Sequence, residues 1–216
     1  MFDYACPTMT AWQRSLFDLG DTAGVDHSFS GVEHWDLSGR AWIEYVPGWV
    51  RRHDLVFDAL RDTVPWGSER RAMYDRMVDV PRLVCFYGEG EALPHPALTD
   101  AFDLLQQHYG VSSGGPVATV STCLYRDGRD SVAWHGDRIG RGTTGDTLVA
   151  VVSLGHRRRL LLRPASGGAS HPIELGGGDL LVMGGRCQQA WEHSVPKTSR
   201  PTGPRISVQF RSRGAG

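Results

Sequence analysis

Lysine is nearly absent from this chain. Lys197 is the only one, so almost all positive charge is arginine, a skew that genomic base composition explains more readily than selection for phosphate contacts. A formal net charge of −1 excludes a globally basic nucleic-acid binder, although a local basic patch stays open because binding responds to charge near the groove. The cysteines Cys6, Cys85, Cys123 and Cys187 have no C-x-x-C spacing, which argues against a zinc site or a disulfide frame and for free thiols. No apolar run approaches the roughly eighteen residues of a membrane span. The start, Met1-Phe2-Asp3-Tyr4, lacks the basic and apolar regions of a signal peptide, so a cytoplasmic protein that avoids membranes is expected.

What remains is an ordinary globular composition of 216 residues, enough for one domain with an N-terminal segment. A short helix is expected from Trp12 to Leu19. The alternation of Arg40 to Val46 predicts a strand that ends at Pro47-Gly48. His53 to Thr63 has helical spacing closed by Pro65, Arg82 to Tyr87 reads as a short strand, and Pro96 opens an amphipathic helix stopped near Gly110. From Val117 onward short strands alternate with Gly-rich turns: Val117 to Tyr125, Leu148 to Leu154, Arg159 to Arg163, Ile173 to Leu175, Leu180 to Met183 and Arg205 to Arg211. That spacing predicts a mainly β fold with flanking helices, a two-sheet jelly roll (double-stranded β-helix) carrying an N-terminal α/β extension.

Chemistry concentrates in the last third. Trp134-His135-Gly136-Asp137 precedes Trp191-Glu192-His193, and a His-x-Asp pair with a distant His supplies three ligands on one side of a metal. That facial set is preferred by non-haem Fe(II) oxygenases. Residues i and i+2 of a strand share a face, so His135 and Asp137 can reach one ion. A second His-x-Asp, His34-Trp35-Asp36, lies before any expected barrel strand and reads as chance. For the third ligand, His156 sits beside Arg157-Arg158-Arg159, where positive charge opposes a cation, and His171 has no partner pattern, which favours His193. The arginine run itself reads as a solvated stretch rather than a phosphate-contacting edge.

The segment Arg205 to Arg211 puts Arg205, Ser207, Gln209 and Arg211 on one face and Ile206, Val208 and Phe210 on the other. Arginines there suit a carboxylate-bearing co-substrate; the alternative is a half-exposed strand. Gly110-Val111-Ser112-Ser113-Gly114 matches a nucleophile elbow in letters only, since a helix precedes it and Gly115-Pro116 follows.

Assembled, these residues resemble the AlkB family of Fe(II)/2-oxoglutarate-dependent dioxygenases over roughly residues 40 to 212. The resemblance includes Pro81-Arg82 before Tyr87-Gly88, Tyr125 ten residues before His135, the run Gly178 to Gly185, His193-Ser194-Val195-Pro196, and Arg205 with Arg211. It implies an N-terminal segment over 1–39 packing on a dioxygenase domain over 40–216, with a nucleotide-recognition segment over 65–95. It implies that His135, Asp137 and His193 bind Fe(II), that Arg205, Tyr125 and Ser207 hold the distal carboxylate of 2-oxoglutarate, and that Arg211 approaches its chelating end. The expected reaction consumes O2 and 2-oxoglutarate, forms succinate and CO2, and removes an N-alkyl group from a base in DNA or RNA as an aldehyde. A flipped base would stack on an aromatic, with Phe86, Tyr87 and Trp66 as candidates. Two positions depart from the family: Cys123 stands where Asn is usual beside the co-substrate, and Ile139 where many members carry an acidic residue that reads the base. Alkylated nucleic acid is the expected partner and a monomer the expected state. The alternatives are an oxygenase of the same fold acting on a protein or small molecule, and a non-catalytic module that binds modified bases.

Overall fold

The computed structural model describes residues 22–73, 76–110, 115–137 and 145–213, and over 69–73 and 76–79 the backbone alone. The expected helix at 12–19 lies outside the described residues, as does Ile139. An eight-stranded antiparallel sheet runs in the order β2 (Glu33–Asp36), β3 (Ala41–Val46), β12 (Leu180–Gly185), β9 (Val149–Gly155), β14 (Arg205–Ser212), β7 (Val117–Tyr125), β6 (Arg76–Tyr87), β5 (Gly67–Met73). Facing it is a four-stranded sheet ordered β11 (His171–Leu175), β10 (Arg158–Pro164), β13 (Trp191–Val195), β8 (Val132–His135). A small pair joins β1 (Gly24–Val25) to β4 (Val50–Arg51). Among the described residues there are three α-helices: α1 (His53–Thr63), α2 (Pro96–Tyr109) and the short α3 (Cys187–Ala190). This is the expected jelly roll with flanking helices.

Pattern explains the layers. In β9, Ala150, Val152 and Leu154 join Ile206, Val208 and Phe210 of β14 in one core with Phe57, Leu60, Leu98 and Leu105 of the helices. The alternate residues Val149 and Val151 pack with Leu160, Leu162, Leu181, Met183 and Trp191 between the two sheets. A strand covered on both faces must be apolar throughout, which is why β9 and β12 read as continuous apolar runs. Each fully buried Leu or Phe contributes about 2 kcal/mol. α2 begins where His95 caps it, its Nδ1 accepting from the Ala97 amide at 3.1 Å, with Pro96 as the first helical residue. Gly155 is required at the end of β9: its φ is +87°, and a Cβ there would meet Phe57 at 2.8 Å.

One expectation needs correction. The run Arg157-Arg158-Arg159 is solvated at Arg157 and Arg159 but not at Arg158, because β10 has period two and Arg158 points inward with Leu160 and Leu162. Its buried guanidinium donates to the carbonyls of Asp127 (3.0 Å), Asp130 (3.0 Å) and Pro196 (2.8 Å), tying two loops together. The half-exposed alternative for the Arg205–Arg211 face does not hold: Arg205, Ser207 and Gln209 are all buried, since the small sheet covers the side that the helices do not.

Candidate metal centre and co-substrate wall

β8 and β13 pair so that His135 and His193 are register partners, and their rings lie 4.3 Å apart, centroid to centroid. The Nδ1–H of His135 donates to the Ala133 carbonyl at 2.8 Å, which leaves Nε2 as the free lone pair. That Nε2 is 3.5 Å from Asp137 Oδ1. The other oxygen, Oδ2, accepts from Arg211 Nε at 2.9 Å, and the Asp137 amide donates to Gln188 Oε1 at 3.0 Å. Gly136 between the ligands is held against α3, where a Cβ would come 2.5 Å from the Gln188 carbonyl oxygen.

Electrostatics prepares the same three groups. Burial alone would push the Asp137 carboxyl up, but Arg211 and then the two imidazoles hold it below the ordinary carboxylate range. Burial, with His135 beside it, depresses His193 to about 3, so its imidazole is neutral at physiological pH. Ligand atoms of His135, Asp137 and His193 lie within 4.8 Å of one another, and among the described residues this is the one such cluster found. Two imidazoles and a carboxylate are a donor set suited to Fe(II). The His34/Asp36 pair sits instead on the exposed edge strand β2, bonded to Glu44.

A polar wall runs away from this cluster along β14 and β7. Their register pairs Arg205 with Tyr125, Ser207 with Cys123 and Gln209 with Ser121, so all six share the face that looks between the sheets. Arg205 is 1% exposed. Its Nε donates to Ser153 Oγ at 2.9 Å and its guanidinium lies 5.3 Å from the Tyr125 ring centroid, while its Nη1 is buried with no partner. A buried guanidinium with an unused donor suits an anionic partner, because an orphan charged donor is costly. A carboxylate there fits. Burial, and then Cys123, push the Tyr125 phenol up to about 12, so it stays protonated and able to donate.

The structure therefore brings Cys123, Tyr125, Arg205, Ser207 and Arg211 to one surface with the three metal-ligand candidates. Phe86 joins them: it is the register partner of Ser121 and is 63% exposed. Tyr87 and Trp66 do not, because they pack against the core shared with α1 and α2 on the opposite side of the sheet. Sequence reasoning missed Ser121, Ser153, Gln188 and the bonding role of Gln209. For Ser121 the signal was present, since Ser121, Cys123 and Tyr125 alternate along a strand that was itself read correctly.

Fold, donor set and anion-seeking arginine together define an iron oxygenase that takes a carboxylate-bearing co-substrate. The chain belongs to the 2OG-Fe(II) oxygenase superfamily, whose family model matches residues 86–211. Within it, the similarity is to AlkB proteins. The chain is 30% identical over 187 residues to bovine (Bos taurus) alpha-ketoglutarate-dependent dioxygenase alkB homolog 3, covering 77% of this chain and 64% of the relative. Identity to the human (Homo sapiens) protein of the same name is 29%, covering 84% and 70%. With the Arabidopsis thaliana DNA oxidative demethylase ALKBH2 it is 29%, covering 72% and 60%. The chain thus spans about two thirds of the length of these relatives. The solved structure of OsALKBH1 shares the fold with a TM-score of 0.55 at 12% identity, covering 84% of this chain and 100% of that one. A Pseudomonas putida prolyl-4-hydroxylase does so with a TM-score of 0.51 at 19% identity, covering 75% and 86%. Like its superfamily, the enzyme uses Fe(II), 2-oxoglutarate and O2.

Proposed function

We propose that this dioxygenase removes N-alkyl groups from bases of DNA or RNA. The observation that carries this is Phe86, an exposed ring on the same face as the co-substrate wall, next in register to Ser121, which accepts from Arg211 at 2.6 Å. A flipped base can stack there beside the metal cluster. The name of the Arabidopsis relative, DNA oxidative demethylase ALKBH2, supports DNA within that class.

His135, Asp137 and His193 would hold Fe(II), which with 2-oxoglutarate supplies activation of O2. The chain's own residues do the positioning. His135 keeps Nε2 toward the metal because Nδ1 is engaged by Ala133. Arg211 fixes the Asp137 carboxylate through Oδ2 and leaves Oδ1 facing the imidazoles. Arg205, Ser207 and Tyr125 present donors to the distal carboxylate, with Cys123 beside them. Oxidation of the N-alkyl carbon gives a hemiaminal that releases an aldehyde and the unmodified base.

Incubation of the full chain with N-methylated oligonucleotides, Fe(II) and 2-oxoglutarate tests this. Stoichiometric formaldehyde and succinate are expected. Succinate formation that ignores the oligonucleotide, across DNA and RNA and single and double strands, would instead point to a protein or small-molecule substrate.

A further inference from the structure

We infer that Gln209 is a positioning residue that aims the donors of the co-substrate wall at the distal carboxylate of 2-oxoglutarate. Its side chain is buried between Arg205 and Arg211, two residues before the latter. Its Nε2 donates to the Ser207 carbonyl at 3.2 Å and to Ser207 Oγ at 2.5 Å. Its Oε1 accepts from Ser121 Oγ at 2.8 Å and from Cys123 Sγ at 3.7 Å. Ser121 in turn accepts from Arg211 Nη1, and Arg211 donates to Asp137.

The direction of this chain is forced. Arg211 can only donate, so Ser121 accepts from it and spends its own proton on Gln209. A flipped amide would set Oε1 against the Ser207 carbonyl and strand the Ser121 proton, so Gln209 has one orientation. Ser207 Oγ is then an acceptor toward Gln209, and its proton is left to donate into the space between the sheets. Arg205 Nη1 is a further donor without a partner on this wall. Ser207 and Arg205 are two positions apart on one strand face, so both donors can serve one carboxylate. Cys123, which pairs with Ser207, has only a weak thiol donor to offer. The amide on this wall is therefore supplied from β14.

The inference rests on the co-substrate assignment and not on which substrate is oxidised, so its test omits nucleic acid. Gln209→Glu keeps the size and the acceptor toward Ser121 but replaces the donor toward Ser207 with an oxygen. The Ser207 proton must then turn back to meet it. Binding of 2-oxoglutarate to the Mn(II)-loaded protein, measured anaerobically by calorimetry, should weaken about tenfold to a hundredfold. Competition by pyruvate, which has the oxo-acid end and lacks the distal carboxylate, should change less than about twofold on the same scale. Equal losses for both acids would mean that Gln209 acts only through Arg211 and the metal end, and unchanged 2-oxoglutarate affinity would mean that it is mere filling; either overturns the inference. Should Gln209→Glu fail to fold, Gln209→Met and Ser207→Ala form a double-mutant cycle in the same assay. Action through Ser207 requires that Gln209→Met cost almost nothing once Ser207 is Ala, whereas additive losses overturn the inference.

Discussion

His135 and His193 face each other across β8 and β13, and no local pattern in either strand sets that distance. The register of two short strands does so, with Asp137 carried to the same place by Gly136. Metal affinity is therefore sensitive to backbone placement as well as to the ligands themselves.

Gly136→Ala tests that sensitivity. The added Cβ would meet backbone, the Gln188 carbonyl at 2.5 Å and that of Trp191 at 3.3 Å, neither of which can swing aside. Unfolding free energy should fall by about 1–3 kcal/mol. Mn(II) affinity, measured by anaerobic calorimetry, should drop about tenfold or more, although every ligand is retained. Wild-type affinity would show that α3 yields.

Arg205→Met separates the charge of the wall from its packing. The buried Arg205 guanidinium lacks one partner, so an apolar replacement should leave the unfolding temperature of the ligand-free protein equal or higher. With Mn(II) present, saturating 2-oxoglutarate should raise the wild-type unfolding temperature by about 5 °C or more and leave the variant unmoved. A variant that still responds would place the distal carboxylate elsewhere.

Phe86→Ala should change unfolding free energy by about 0.5 kcal/mol or less, because the ring is already in water. If a base stacks on it, KM for a methylated oligonucleotide rises about tenfold while 2-oxoglutarate affinity is unaffected. Unchanged KM would remove Phe86 from the substrate site.

His34 gives a pH signature on the edge strand. Hydrogen bonds donated by the ring to Glu44 and then to Asp36 raise its pKa above 6.5, against an opposing effect of burial. Stability from the protonated ring is fully present below pH 6.5 and is lost as pH rises through the higher folded-state value. The pair is solvent-screened, so the His34→Gln difference in urea unfolding should be about 0.5 kcal/mol or less near pH 5.5 and vanish near pH 8.5. A difference that grows with pH would reverse the assignment.

Elements with a strong local period were legible: β7, α1 and α2 fall where apolar spacing places them. The strands that escaped notice, β1, β2, β4, β5, β8 and β13, are short or polar, and their order comes from pairing with other segments. His193 was legible as a ligand because few histidines remained once charge and context were weighed, yet its strand was not. Arg158 was misread because neighbouring arginines look alike in a row, whereas period-two geometry sends one inward and its neighbour out. Phe86 and Tyr87 could not be told apart from sequence, since adjacent residues on a strand face opposite sides and only the register decides which side holds the metal cluster.

β14 carries core on one face and site on the other, and this makes its placement self-checking. A slip of one residue would drive Arg205 and Arg211 into the layer of α1 and α2 and turn Phe210 toward the metal ligands. The misregistered chain would lose its fold and its chemistry together, so a stable but inactive register is not open to it. Fidelity of assembly and competence for catalysis are, in this strand, one property.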